Sequence, residues 1–427
     1  MKANKAVYIC GGFEKSQYLW SLIIIDAYCK KQKITKLILE NKLPEEILSV
    51  DLIDTLLSNY KIIYASDLDP GWLKNKFLRM ICLFLTNLRH SLVINNKYLL
   101  HNKNFRNSQI GHGIWDLSLL NSKKDNLKPS KLDKYKASLL VMTKYFRTSN
   151  ICKKFSVDAF LGHSVYQDRA TLTCLRENKS NIFSQANYSF HKQPLDDDTA
   201  WNLPDFKLMR SIKKLIKPEE VENYWELRLQ GKGNYEDANR AIKNLALNNK
   251  YFYFKNVIML HVFKDSPFNK IDKSRIFADY IEWISETIKI IKNSNENWLI
   301  KFHPSAKQWG EDQNLIIKKL LGRNCKNIHV DDGKLSNIEI FRKIKRLVTY
   351  SGTSHLESAI FGIKPIVISD VISSKFLENS VLKPVDLDNY RDLLLEDSSS
   401  KLFEIKEEYK YPLKELLYIQ ENILSFK

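Results

Sequence analysis

The sequence predicts an α/β protein of two Rossmann-like halves facing a cleft, and three observations carry that prediction. Short apolar, strand-like runs alternate with helical text from Ala6 onward and again from Asn256, so the pattern occurs twice. Several runs stop at small or polar residues, as in Phe302-His303-Pro304 and Tyr350-Ser351-Gly352-Thr353. The chain has 427 residues, past the size at which one core keeps growing, so two domains are expected.

In the first half, Ala6 to Cys10 reads as a buried strand, Gly11-Gly12 as a tight turn, Tyr18 to Cys29 as a helix and Ile34 to Leu39 as the next strand. The turn lacks the third glycine of G-x-G-x-x-G, so no dinucleotide site is assigned. Ile47 to Leu57 reads as helix and Lys61 to Ala65 as strand. Trp72 to Leu88 sets Lys74, Lys76 and Arg79 beside Phe77, Leu78, Ile81, Phe84 and Leu85. Such text describes either a helix on an anionic membrane surface or a core helix with solvated lysines.

Ser108 to Leu119 contains Gly111-His112-Gly113, expected as a flexible loop whose imidazole faces a cleft or solvent. Asp158 to Leu161 is another strand, closed by Gly162-His163-Ser164 and followed by a helix from near Tyr166 to Leu175. His163, Asp168 and His112 are therefore candidate bases or hydrogen-bonding groups for a hydroxyl acceptor; Asp168 also fits as a first-turn cap.

The alternation weakens from Pro194 to Lys255. This divides the chain into an N-terminal domain at 1–195, a helical inter-domain region at 196–255 and a C-terminal domain at 256–400. A last helix at 401–427 is expected to pack back toward the N-terminal domain. Asp196-Asp197-Asp198 reads as a solvated loop, because three consecutive side chains do not converge on one helix face.

In the second half, Asn256 to Phe263 is a strand ending in Lys264-Asp265-Ser266-Pro267, and the helix carrying Ile276, Tyr280, Ile284, Ile288 and Ile291 has Ser274 available as its cap. Strands follow at Trp298–Phe302, Asn327–Val330, Arg346–Tyr350 and Lys364–Ile368, with Asp331-Asp332-Gly333 as a turn. Ser336 with Glu339, and Ser354 with Glu357, have the spacing of capping boxes, and Gly362 supplies a helix stop. Ser351 to Ser354 thus fall at the carboxyl end of a strand, where backbone N–H groups and a helix dipole favour a phosphate.

Lys and Arg number 67 against 49 Asp and Glu, a formal +18, which points to anionic partners. No helix-turn-helix, RNP-like or zinc-finger pattern supports nucleic acid. The six cysteines form no C-x-x-C pair and read as reduced thiols, and no secretory signal or spanning run is evident, so a cytoplasmic protein is expected.

The stretch Asn256 to Ile368, with Asp265-Ser266, Glu282-Trp283, Lys301-Phe302-His303-Pro304, Tyr350-Ser351-Gly352-Thr353, Glu357-Ser358-Ala359 and Gly362-Ile363-Lys364-Pro365-Ile366, resembles the capsule polysaccharide biosynthesis glycosyltransferases. That family has the GT-B fold, and its best-known members transfer Kdo from CMP-Kdo. The resemblance implies a C-terminal domain for a nucleotide sugar and an N-terminal domain for a glycan or lipid-linked acceptor. By position it implies that Lys301 and His303 meet the donor's phosphate or sugar carboxylate, and that Ser351, Gly352 and Thr353 cradle phosphate. Glu357 would bond the ribose, and Asp265 belongs with these donor-side motifs.

The implied enzyme serves surface polysaccharide assembly, in capsule or lipopolysaccharide; on the membrane reading of Trp72 to Leu88 it would also touch the anionic inner face of the cytoplasmic membrane. It takes no cofactor beyond its nucleotide-sugar substrate. No D-x-D pair stands in a suitable place, so metal-independent transfer is expected. A CDP-glycerol glycerophosphotransferase or a sugar epimerase on the same scaffold stays open, as does a non-enzymatic basic binding protein.

Overall fold

Parallel strand pairing in Rossmann order organises the computed structural model twice over. The model describes residues 4–10, 15–41, 51–101, 105–122, 128–162, 165–186, 189–192, 206–234, 236–243, 254–265, 276–322, 325–331 and 335–423. The chain divides into two compact units, Met1–Ser122 with Lys128–Asn202 and Leu424–Lys427, and Lys123–Leu127 with Leu203–Ile423.

The first unit contains β1 (Lys5–Cys10), β2 (Lys36–Leu39), β3 (Lys61–Tyr64), β4 (Ser156–Leu161), β5 (Asn181–Ala186) and β6 (Ser189–Lys192), in the order β3-β2-β1-β4-β5-β6. All pairs are parallel except β5 with β6. After its first residue β1 is wholly buried, as an unbroken apolar run must be when both sheet faces are covered. On one face Val7, Ile9, Leu37, Leu39 and Phe160 form a core with Leu22, Ile25 and Cys29 of the Lys15–Gln32 helix.

The Lys131–Lys154 helix packs against the Lys76–Val93, Phe105–Leu120 and Asp168–Glu177 helices. A true capping box starts it: Ser130 Oγ accepts from the Asp133 N–H at 3.1 Å, and Asp133 accepts from the Ser130 N–H at 3.0 Å.

Gly111-His112-Gly113 is not a loop, as expected from its glycines, but the interior of the Phe105–Leu120 helix. The reason is close packing. A methyl on Gly113 would stand 2.5 Å from the Tyr166 carbonyl oxygen, and one on Gly111 would strike the Leu99 side chain. The glycines let neighbouring chain approach the helix, a use that local sequence shares with flexibility.

The second unit contains β7 (Asn256–Met259), β8 (Trp298–Lys301), β9 (Ile328–Asp331), β10 (Arg346–Thr349) and β11 (Ile366–Val367), all parallel in the order β11-β10-β7-β8-β9. This is again Rossmann order, and the chain changes direction across the sheet between β7 and β10. Val257, Met259, Leu299 and Leu347 pack on Ile340, Phe341 and Ile344.

Several expected boundaries move. β7 ends at Met259 rather than Phe263, so that His261 to Asp265 lie beyond the strand. The helix expected from Ile276 begins at Tyr280, capped by Asp279, which accepts from the Glu282 N–H at 2.7 Å; Ser274 lies outside the described residues. Ser336 does sit at an N-cap, but its hydroxyl donates to the Ile242 carbonyl at 3.0 Å and Glu339 pairs with Arg342, so no capping box forms. Gly11-Gly12, Asp196 to Asp198 and Asp332-Gly333 also lie outside the described residues.

The helices expected as inter-domain text belong to the second unit, as does 401–423. The Pro218–Leu229 helix buries Val221, Tyr224, Trp225 and Arg228, and it packs on the Lys410–Tyr418 helix, which in turn packs on the Ser354–Ile360 helix. Burial of these faces, rather than proximity in sequence, assigns them. All six cysteines are free thiols. Among the described residues no helix is long and apolar enough to cross a membrane, and no group of three or more His, Cys, Asp and Glu is gathered to hold a metal ion.

Candidate functional site

The carboxyl ends of β7, β8 and β10 come together where the second sheet reverses strand order. Registers place Met259, Lys301 and Thr349 side by side in one row, with Asp331 next to Lys301. Beyond that row the backbone stays tied: the Leu260 N–H donates to the Lys301 carbonyl at 2.9 Å, and the Phe302 N–H to the Asp331 carbonyl at 3.1 Å. Residues just past the row must therefore line the crevice where ligands of such sheets bind. There an open pocket, about 560 Å³ of empty space with its solvent-facing part included, is lined by His261, Lys301, His303, Gly352, Thr353 and Glu357. Asn337 and Ser354 complete its polar wall.

Lys301 is 3% exposed. Its ammonium donates to the Leu335 carbonyl and stands 4.0 Å from Asp331 Oδ2. Burial pushes its pKa down to about 8, against the opposing pull of Asp331 and Glu357. Charge held here is poorly solvated, so an entering anion would relieve it.

His303 lies just past β8 and precedes Pro304, outside any helix or strand. Its Nδ1 accepts from the Ser305 N–H at 3.2 Å, which leaves the proton of the neutral ring on Nε2. A second imidazole joins it. His261 lies 5.9 Å from His303 between ring centroids and is stacked on Tyr280 at 4.8 Å and 7°. Tyr280 meets Tyr350 edge to face at 4.5 Å, linking the ends of β7 and β10.

One side chain sets both imidazole-bearing loops. Gln313 accepts the His303 N–H at 2.9 Å and donates to the His261 carbonyl at 2.9 Å and to Glu311 at 3.1 Å. Glu311 in turn accepts from the Lys264 N–H; burial raises its pKa to about 7, opposed by these hydrogen bonds. Asp265 approaches His261 Nε2 at 3.8 Å and is not among the residues lining the pocket.

The Ser351 to Ser354 turn is held from below by His355. Its ring Nδ1 donates to the Gly352 carbonyl at 2.6 Å, and burial lowers its pKa to about 4, so the ring is neutral. Ser351 Oγ is buried without a hydrogen-bond partner among the described residues, as is the carbonyl oxygen of the Asn337 side chain. Of these two residues Asn337 lines the pocket.

Glu357 departs from its expected capping role. The helix spans Ser354–Ile360 with Thr353 at the N-cap and no side-chain cap. The Glu357 carboxylate is taken instead by Arg228, Nε at 2.8 Å and Nη2 at 2.7 Å. The opposite side of that guanidinium meets Glu421 at 3.0 Å, and Tyr224 donates to the same carboxylate. Burial raises the Glu421 pKa to about 7, partly offset by Arg228 and Tyr224.

Of the expected donor-side residues, Lys301, His303, Gly352, Thr353 and Glu357 share one pocket, with Ser351 adjoining by sequence. The candidate acceptor residues belong to the first unit. His112 is buried, its Nδ1 3.4 Å from Arg169 Nη2. Asp168 is buried at the start of the Asp168–Glu177 helix and pairs with Lys144 at 3.0 Å, which also pairs with Glu40 at 2.6 Å. His163 lies outside the described residues.

His261, Gln313 and Arg228 were not anticipated. His261 follows an apolar run, as His303 does, but Val262-Phe263 extend that run and hide the strand end. Gln313 joins His303, 10 residues away, to His261, 52 away, and Arg228 meets Glu357 across 129 residues, so no local pattern marks either one.

No family model matches the chain, and no curated protein matches it. Among solved structures it is similar to Thermosulfurimonas dismutans KpsC, a beta Kdo 2,4 transferase, at 10% identity over 61% of this chain and 79% of that one, TM-score 0.36. It is similar to Methanocaldococcus jannaschii UDP-GlcNAc 2-epimerase in complex with UDP-GlcNAc and UDP, at 11% identity over 97% and 98%, TM-score 0.33. Anabaena Alr3699/HepE in complex with UDP and glucose aligns at 8% identity over 99% and 97%, TM-score 0.30.

Proposed function

We propose that the chain is a glycosyltransferase that moves a sugar from a nucleotide-sugar donor, CMP-Kdo-like in the first instance, to a hydroxyl of a surface polysaccharide or lipid-linked glycan. The observation that carries this reading is the convergence of Lys301, His261, His303 and the Gly352–Ser354 backbone on one pocket at the switch point of the second sheet. As the bond between sugar and phosphate breaks, negative charge grows on the departing phosphate. A buried ammonium, an imidazole N–H and backbone amides oppose that charge where little water screens it. Glu357, fixed by Arg228, supplies a rigid carboxylate to accept from ribose hydroxyls.

Transfer also requires the acceptor hydroxyl to lose its proton. Asp168 is committed to Lys144 and His112 is packed inside a helix; of the three candidates for this step, His163 lies outside the described residues. The donor chemistry so described calls for no metal.

The test is calorimetric titration with CMP, UDP and GDP, followed by transfer assays with the matching sugar nucleotides in excess EDTA. One nucleotide is expected to bind, and Lys301→Met and His303→Ala should each weaken it about tenfold, one lost charge-assisted bond apiece. Transfer should persist in EDTA. Failure of all three nucleotides to bind, epimerisation of UDP-GlcNAc without an acceptor, or turnover of CDP-glycerol would displace the reading.

A further inference from the structure

The Lys76–Val93 helix packs on the Lys131–Lys154 helix by one face and shows an apolar stripe on the other. Phe77, Ile81, Leu85, Leu88 and Leu92 recur at helical spacing along that stripe, and all are exposed, Phe77 to 71% and Leu85 to 70%; Phe84, also exposed, stands at its margin with its ring edge to face on Tyr135. Met80 adds 60% beside them. A helix apolar on both faces belongs in a core, so this outer face requires cover.

Charge selects what covers it. From Pro70 through Trp115 the sequence holds seven Lys and Arg and no Asp or Glu. Lys74 and Lys76 stand exposed at the helix N-terminal end, and Lys131 and Lys136 are exposed on the helix packed against it, beside exposed Leu132 and Leu140. A second copy laid on this face would bring like charges together. An anionic bilayer instead offers apolar depth for the stripe and headgroup phosphates for the lysines.

We propose that this face is a docking surface for an anionic phospholipid bilayer, seating the protein on the membrane without spanning it. The surface lies within the first unit, and the pocket proposed for a nucleotide sugar within the second.

Flotation of the full chain with vesicles tests it. Binding is expected to vesicles of phosphatidylglycerol mixed with phosphatidylcholine, and to fall at least tenfold on phosphatidylcholine alone. Phe77→Gln with Leu85→Gln should lower partitioning at least about tenfold through lost apolar insertion. Lys74→Gln with Lys76→Gln should lower it by about tenfold at low salt, and 0.5 M salt, roughly, should do the same to the natural chain. These side chains are exposed, so both variants should keep the natural thermal transition. Equal binding to neutral vesicles, or natural partitioning by both variants, would overturn the proposal. So would a dimer in sedimentation that Phe77→Gln with Leu85→Gln converts to monomer while leaving flotation unchanged.

Discussion

Arg228 and Glu357 form a buried two-nitrogen ion pair, 2.8 and 2.7 Å, that ties the Pro218–Leu229 helix to the wall of the pocket. Arg228 has no water to fall back on: it is wholly buried, and Glu421 takes its other side. Removing the arginine takes from both buried carboxyls the one cation they share.

Arg228→Met should therefore cost about 3–5 kcal/mol of stability, measured by urea denaturation. Arg228→Lys should recover only part of the loss, because a point charge does not reproduce the fork that reaches both carboxylates. A loss below about 1 kcal/mol, the worth of an exposed pair, would show that the network is solvated.

Lys301 gives nucleotide binding a pH signature. Its pKa is about 8 in the fold against an ordinary 10.5, so the ammonium is charged below about 8 and lost above it. An anionic ligand prefers the charged form, so affinity should fall as pH rises through 8, and Lys301→Met should flatten that fall. Stability runs the other way. Unfolding takes up a proton between about 8 and 10.5, so this lysine's contribution to stability grows with pH across that window. Calorimetric titrations from about pH 6.5 to 9.5, with the lysine pKa range as guide, check the sign.

Gln313→Leu should loosen both imidazole loops at once. It orphans the His303 N–H and the His261 carbonyl, groups that cost about 1–3 kcal/mol when buried unpaired. The expected result is a nucleotide affinity lowered about tenfold together with a lower melting temperature. Affinity unchanged with stability lowered would make Gln313 a structural residue only.

Two glycines should answer an alanine scan oppositely. Gly113→Ala places a methyl 2.5 Å from the Tyr166 carbonyl oxygen and should destabilise by about 1–3 kcal/mol, since backbone must move. Gly71→Ala, with nothing within 4 Å, should be neutral or stabilising by up to about 1 kcal/mol. Thermal melts of the two variants decide whether the helix carrying His112 is packed as tightly as described.

Much of the second unit was legible because its signals are local. Trp298 to Lys301 and Arg346 to Thr349 announce strands by composition, and Rossmann order then brings Lys301, His303 and Gly352 to one edge. The misreadings share a cause. Gly111 and Gly113 signal flexibility and close approach with the same residue, and Ser354 with Glu357 has capping spacing whether or not a guanidinium arrives from elsewhere.

The sequence by itself determined the alternation of strands and helices, the two-fold repetition of that pattern, and the residues standing at strand ends. Only the tertiary structure decided which partner each of those residues takes: Arg228 for Glu357, Gln313 for His261 and His303, burial for Lys301, and exposure for Phe77 and Leu85. Periodicity is written within a few residues, whereas pairing and desolvation depend on groups brought together from 10, 52 or 129 residues away, and exposure on the lack of any.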